Sequence, residues 1–495
     1  MTSRISRRRF LGSSAIVAAG SFGPIHLVLG KTGVSRPMTR TLGRTGLEVT
    51  TLGLGGQASL QWTPEGVDPE PIIAKALDLG VNYFDTSNVY GASQVHFGDV
   101  FRRLNLVPGL PGYDEKKRRS IHVASKTMLR LARGSHPEVR GHSQGPAGST
   151  AVDDLRRTLS QVFGDGQGNY SDEAYLDLFL IHNLNTLAEV DAIYEGLESP
   201  DPKAERIGAL AALRDWRDGT NLTGLNPKEE RRIRHIGFSS HSSSPVMIEC
   251  LQRDEYGLID AMLVAINAND RLYQSHQYNA IPVAAAKGVG IIAMKVFADG
   301  AMYTKPATWS RTPADVVRAV GAPQLPSRPL VQYSLTTPGI ATAIIGIGHI
   351  DRDSAHCQLE QNLSAAQVRP ESLAAGDRTG IEQLASKAKE GRTNYFQAEI
   401  QPLGAPREVA GARTPADGRQ QVELTWQTAY AADHPITHYE IHRDATPLGR
   451  VAHQPQTTKQ PFRFQDGTPG QAAHRYQIVT VDATGRTAPS EPLVV

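Results

Sequence analysis

The chain has very little cysteine: two in 495 residues, Cys250 and Cys357. They stand far apart with no C-x-x-C spacing, so neither a zinc nor an iron–sulfur site is expected, and no metal centre at all. Buried thiols suit them better than a disulfide. An excess of one charge is also missing. With 52 Lys and Arg against 50 Asp and Glu, the formal charge is +2, which gives no reason to expect a nucleic-acid partner. Beyond the N-terminus no apolar run is long enough to cross a membrane. A G-x-G-x-x-G after the first strand is absent too. The glycines of "GLGG" (53–56) and "GDGQG" (164–168) have the wrong spacing and context for a dinucleotide-binding turn, which argues against a doubly wound open sheet. What remains is ordinary: 40% hydrophobic and 21% charged residues, a composition that supports a folded protein with a sizeable core.

The N-terminus departs from this pattern. Residues 1–34 open with a basic block, Arg4 to Arg9, followed by a weakly apolar stretch broken by Gly20, Gly23 and Pro24. The order Ser6-Arg7-Arg8-Arg9-Phe10-Leu11 resembles the twin-arginine export signal. The resemblance implies passage through the twin-arginine export machinery to the periplasm or cell envelope. No clear A-x-A cleavage site follows, so the segment is also a candidate membrane tether.

From about residue 38 to 398, apolar runs alternate with amphipathic stretches. The runs are 49–55, 81–85, 121–126, 175–182, 233–239, 259–267, 290–295 and 342–348. Near-continuous apolar runs suit strands buried on both faces of a parallel sheet. "STAVDDLRRTLSQVFG" reads as a helix with a Ser/Thr cap and acids in its first turn. Eight such units predict an α/β fold, a (β/α)8 TIM barrel. Three connections are long: 104–119, 131–148 and 301–328. Loops of this length in a compact domain are usually functional or disordered. After residue 400 the period changes to two. The runs 421–429, 438–444 and 474–485 predict a small all-β, immunoglobulin-like sandwich over 402–495. Trp426, Tyr439 and Tyr476 within it resemble the pattern of a fibronectin type III domain.

In a barrel the strand ends share one mouth. There the second run ends in Asp85, with Tyr90 in the loop behind it; the third ends in Lys126 and the fourth in His182. Singly, each has an ordinary reading: a turn-capping acid, a rim aromatic, a solvated lysine, a satisfied histidine. Together they make a chemical set. A tyrosine hydroxyl of pKa about 10 donates poorly at neutral pH, and a nearby ammonium is expected to lower that value. A carboxylate keeps the ammonium charged, and a histidine orients a carbonyl oxygen. The set is a general acid for carbonyl reduction or a general base for alcohol oxidation. It needs a hydride carrier, because no side chain supplies hydride.

With these motifs in order the sequence resembles the aldo-keto reductase family over about 40–390. The matching segments are "RTLGRTGLEVTTLGLGG", "NYFDTSNVYG", "VASK", "LDLFLIH", "RHIGFSSHS", "GVGIIAMKVFADG" and "LEQNLSAA". The resemblance implies Tyr90 as general acid/base, Lys126 and Asp85 tuning it, and His182 orienting the carbonyl. It implies NADP(H), with NAD(H) as the less common choice, lying extended across the mouth. Ser239, Ser240 and Asn267 are then expected at the nicotinamide, with Met294 where relatives often place a stacking tyrosine. Lys295 is expected at the pyrophosphate, and Gly346 and Gly348 where a phosphate approaches. Arg352 falls at the 2′-phosphate, and Gln358, Gln361 and Asn362 at the adenine. The expected substrate is a small carbonyl or alcohol, a sugar being a natural candidate for an exported enzyme. Export and a nicotinamide cofactor together suggest a bound cofactor recycled in place. The alternative is a catalytically weak cofactor- or carbohydrate-binding barrel whose sandwich attaches partners.

Overall fold

The computed structural model describes residues 36–399, 402–416 and 419–495; the predicted export signal lies outside them. Eight parallel strands close into a barrel. They are β1 (Leu52–Gly55), β2 (Tyr83–Asp85), β3 (His122–Thr127), β4 (Leu176–Ile181), β5 (Ile233–Ser240), β6 (Ile259–Ala265), β7 (Gly290–Met294) and β8 (Ile340–Gly346). Each falls on one of the eight apolar runs. Closure is by β8 on β1, with Ala343 opposite Leu52 and Gly346 opposite Gly55. Nearly every strand residue is buried, because helices cover the outer face and side chains fill the inner one. Some strand positions leave no room for a side chain: a Cβ on Gly237 would sit 2.2 Å from the Ala261 carbonyl oxygen.

The helix-like stretches behave as read. The helix Ala151–Val162 starts on a capping box, Thr150 and Asp153 each bonding the other's backbone amide, which satisfies donors the first turn leaves free. A short hairpin, Thr39–Thr41 with Glu48–Thr50, lies at the end where the strands begin. Arg44 of that hairpin reaches the Ile259 carbonyl at 2.7 Å and Asp260 at 3.0 Å. The long 104–119 connection enters β3 from the same end, remote from the mouth. The 131–148 and 301–328 connections follow β3 and β7, so they belong to the mouth.

After the helix Ala375–Ser386 the chain returns to the mouth. Asn394 pairs with Asn267, amide to amide, at 3.0 and 3.1 Å. Gln397 donates to Asp270 at 2.5 Å, and the Ala398 amide donates to the Ser242 carbonyl at 3.1 Å. This return leads into an antiparallel sandwich. One sheet holds β9 (Arg407–Ala416), β10 (Arg419–Gln427) and Phe462–Asp466. The other holds Ile436–Arg443, Thr446–Ala452, Arg475–Asp482, Thr487–Pro489 and Leu493–Val494. Trp426, Tyr439 and Tyr476 are all buried in its core, with the Trp426 and Tyr439 rings 5.5 Å apart, edge to face.

The two domains meet through amides. Asn279 of the barrel accepts from the Ala431 amide at 2.8 Å and donates to the Ala431 carbonyl at 3.0 Å. Gln252 donates to the Gln456 carbonyl at 2.8 Å, and Lys459 pairs with Glu249 at 2.7 Å. Both cysteines are buried free thiols.

Candidate active site

The site is built from the ends of β2, β3 and β4. The chain leaves β2 at Asp85 and turns back through a bend closed by the Tyr90 amide on the Ser87 carbonyl, 3.1 Å. Gly91 follows at φ 51°, and a Cβ there would meet the Gln61 carbonyl oxygen at 2.7 Å; glycine is the residue that tolerates this. Asn88 fixes the bend from behind. Its amide donates to the Lys126 carbonyl at 3.2 Å, the Asp154 carbonyl at 2.9 Å and the Thr158 hydroxyl at 2.8 Å.

Asp85, Tyr90, Lys126 and His182 converge. The Lys126 ammonium donates to Asp85 Oδ1 at 2.5 Å, to the Thr86 carbonyl at 2.8 Å and to the Tyr90 hydroxyl at 3.5 Å. The Tyr90 hydroxyl lies 3.5 Å from His182 Nε2. His182 Nδ1 lies 3.1 Å from the Ser87 hydroxyl. Ser87 Oγ accepts from the Val89 amide at 3.4 Å and has a proton to give to Nδ1. With Ser87 donating, the hydrogen of a neutral imidazole is on Nε2, facing Tyr90 and the mouth.

Burial sets the proton affinities. His182 is held well below the ordinary imidazole value by burial and then by the Lys126 charge, so it is neutral. Burial lowers Lys126 and raises Asp85, each countered by its partner. The sequence-based expectation for Tyr90 is reversed here. Burial, then the Asp85 and Asp299 charges, pushes its phenol well above the ordinary value. The Lys126 ammonium is nearly spent on Asp85, and at 3.5 Å it does not offset desolvation. Tyr90 therefore rests as a proton donor.

A cleft runs from Tyr90 and Asp85 along β1, β7 and β8, lined among others by Gln57, Met294, Lys295, Phe297, Gln358 and Asn362. Of the expected cofactor contacts, Met294, Lys295, Gln358 and Asn362 line it. Ser240 Oγ and Asn362 Oδ1 are buried polar atoms without protein partners, so each has hydrogen-bonding capacity left for a ligand or a water. These orphans, with the glycines of β1 and β8, fit an extended dinucleotide. The remaining expected residues are placed differently. Ser239 Oγ accepts from the Asn183 amide at 2.8 Å. Asn267 is committed to Asn394 and to the Lys295 carbonyl, 2.9 Å away, so it holds the returning segment. Gln361 donates to the Ser354 carbonyl at 2.8 Å. Arg352 is exposed. Gly348 does allow a close approach, but by protein: a Cβ on it would lie 2.4 Å from the Val317 carbonyl oxygen. Gln358 ties that same stretch down, donating to the Val317 and Ala319 carbonyls at 3.1 and 3.0 Å.

Sequence reasoning missed the far wall of the mouth. His241, Trp309, Tyr395 and Phe396 form an edge-to-face aromatic cluster with centroids 5.1–6.3 Å apart. Behind it, Asp299 accepts from Lys305 at 3.0 Å, Ser310 at 3.1 Å and Tyr395 at 2.9 Å. The length of 301–328 was the available signal for Trp309. Nothing in the sequence marked 395–396, which arrive only through the return of the chain.

The chain was compared with known proteins. The model of the aldo/keto reductase family matches residues 51–313, just over half of the chain. An uncharacterised oxidoreductase of Bacillus subtilis (strain 168) is 22% identical over 349 residues, covering 67% of this chain and 91% of the relative. The L-galactose dehydrogenase of Arabidopsis thaliana is 23% identical over 355 residues, covering 69% and 91%. A crystal structure of an aldo-keto reductase from Klebsiella pneumoniae in complex with NADPH is 14% identical, covering 70% of this chain and 95% of that one, with a TM-score of 0.41.

The buried pair generates a stability prediction. Lys126→Met leaves the Asp85 carboxyl buried and unpaired, and should cost about 3–5 kcal/mol in urea unfolding. The double variant Asp85→Leu/Lys126→Met should recover most of that loss, since it removes both charges. A double variant no more stable than the single one would contradict the pairing.

Proposed function

Because the chain belongs to the aldo/keto reductase family, and is thus an NAD(P)-dependent oxidoreductase of small carbonyl or alcohol substrates, we propose that Tyr90 is its general acid/base. The observation that carries this reading is the Tyr90 hydroxyl, held 3.5 Å from both the Lys126 ammonium and His182 Nε2. A substrate oxygen seated between the Tyr90 hydroxyl and the His182 N–H is oriented by both. As that oxygen gains charge, Tyr90 passes it a proton. Lys126 stabilises the phenolate left behind, and Asp85 keeps Lys126 in place. In alcohol oxidation the same groups act in reverse, with Tyr90 taking the proton.

The family's cofactor, NADP(H), supplies or accepts the hydride when bound. On this reading Ser240 and Asn362 hold it through their orphaned oxygens, with Met294 packed against the nicotinamide. Met294 is an apolar surface but a softer one than an aromatic ring. The Gln358 contacts to Val317 and Ala319 draw the 313–319 stretch against the β8 end. On this reading a dinucleotide lying along β8 would be covered by that stretch, which is our ground for proposing slow exchange. Combined with the twin-arginine resemblance of residues 6–11, this is our case for an exported enzyme. In that enzyme one substrate reduces the bound cofactor and another reoxidises it. The sandwich is then an attachment module of fibronectin type III character.

Tyr90→Phe should reduce carbonyl turnover by about 10²–10⁴-fold while leaving the NADPH dissociation constant within threefold. Equal turnover in a broad aldehyde and sugar screen would remove Tyr90 from the chemistry. The resting protonation states give a pH prediction. Tyr90 donates while protonated, so reduction holds through neutral pH and is lost only as pH rises through its elevated pKa. Oxidation should rise over the same alkaline range. Neither profile should show an inflection near the ordinary imidazole value of about 6.5, because His182 is neutral well below it. Mass spectrometry of the protein from the cell envelope should find stoichiometric nicotinamide dinucleotide. An empty protein that exchanges cofactor freely would overturn in-place recycling.

A further inference from the structure

Lys295 is the least satisfied cation in the described part of the mouth. It follows β7 at φ 59°, a left-handed conformation that is unfavourable for a non-glycine residue and clusters at functional sites. The strain turns the side chain into the cleft that also holds Tyr90 and Asp85. The side chain is only 5% exposed, yet its ammonium makes no contact shorter than 3.4 Å: Asp299 Oδ1 and Gln57 Oε1, both at that distance. A buried ammonium has three donors to satisfy, and unmet ones are costly.

Charge in this corner is unbalanced. Asp299 serves two lysines, its other oxygen accepting from Lys305, Ser310 and Tyr395. Burial opposes its ionisation, but Lys295 and Lys305 outweigh this and hold its carboxyl at about 2. Lys389 adds a further positive charge, its ammonium on the Ala301 and Lys305 carbonyls. Asp315, at the rim, is spent on the amides of Arg311 and Thr312 at 2.8 and 3.0 Å. Lys126 is matched by Asp85, and His182 and His241 are both neutral through burial. Lys295 thus shares its one carboxylate partner with Lys305 and holds it only at the longer distance. Its Nζ lies 4.9 Å over the Trp309 ring, and Trp309 is 41% exposed at the entrance.

Resting on the oxidoreductase reading above, we propose that Lys295, backed by Trp309, is an oxyanion subsite of the cleft. It takes a carboxylate carried by the substrate, beyond the dinucleotide contact that the family resemblance implies for this lysine. A carboxylate there selects hydroxy- and aldehydo-acids over their neutral counterparts.

The test uses binding and does not depend on turnover. The full chain and its Lys295→Met variant are titrated by calorimetry with NADPH. With NADP⁺ present, they are then titrated with terephthalate and its neutral analogue terephthalamide. A loss of at least tenfold for terephthalate, with terephthalamide and NADPH each kept within threefold, supports the subsite; a loss confined to NADPH leaves Lys295 a cofactor contact and overturns it. Lys295→Arg should keep the affected affinity within about threefold. Lys295→Gln gives the same comparison should the methionine variant fail to fold. The proposal is also overturned if terephthalate affinity falls less than tenfold, or if terephthalamide loses as much as terephthalate. Because no product is formed, inactivity of the Tyr90 machinery would leave this outcome untouched.

Discussion

The contact between Lys126 and Asp85 is the constraint around which the mouth is arranged. Both groups are buried, and an ion pair removed from water repays its desolvation only with excellent geometry and further hydrogen bonds. The structure supplies one of these from the Thr86 carbonyl, and the bend that presents this carbonyl also presents Ser87 and Tyr90. The positions of Tyr90 and, through Ser87, of His182 therefore follow from how a single ammonium is satisfied. Asn88 extends the constraint outward, since the carbonyl it holds is that of Lys126 itself.

The same economy explains why Tyr90 rests protonated. Lys126 favours the phenolate of Tyr90, but burial and the Asp85 and Asp299 charges outweigh it. It can still respond when negative charge develops on that phenol, because the ammonium stays within 3.5 Å. The stabilisation is thus largely withheld from the resting state and available to the reacting one, which is what acceleration of a step demands. Lys295 offers a contrast within the same cleft. Its carboxylate partner is shared, its contacts are long, and its charge remains for a ligand.

Much of this was legible in the sequence, and the reasons are physical. Strands buried on both faces read as continuous apolar runs, so all eight barrel strands announced themselves, and their ends named Asp85, Lys126 and His182. The sandwich strands Arg407–Ala416 and Thr446–Ala452 did not, because they are half-exposed and carry polar residues, Gly and Pro. Asn267 looked available for a ligand because it follows a strand end, but its partner Asn394 lies 127 residues away, a separation no local pattern encodes. Tyr395, Phe396 and Trp309 were hidden for the same reason: they enter the mouth through tertiary connection. The Tyr90 proton affinity was misjudged because charge proximity can be read from strand order, whereas the depth of burial cannot.

The return of the chain at 393–398 has a mechanical meaning. Phe396 forms part of the wall of the mouth, and Leu403, seven residues on, already packs against the sandwich core. The clasp of Asn394 and Gln397 on Asn267 and Asp270 is therefore both a hinge pin and a strain gauge. A load applied to the sandwich is shared between this return and the direct contacts of Asn279 with Ala431, Gln252 with Gln456 and Lys459 with Glu249. The entrance of the cleft and the joint to the sandwich thus share a handful of amide hydrogen bonds.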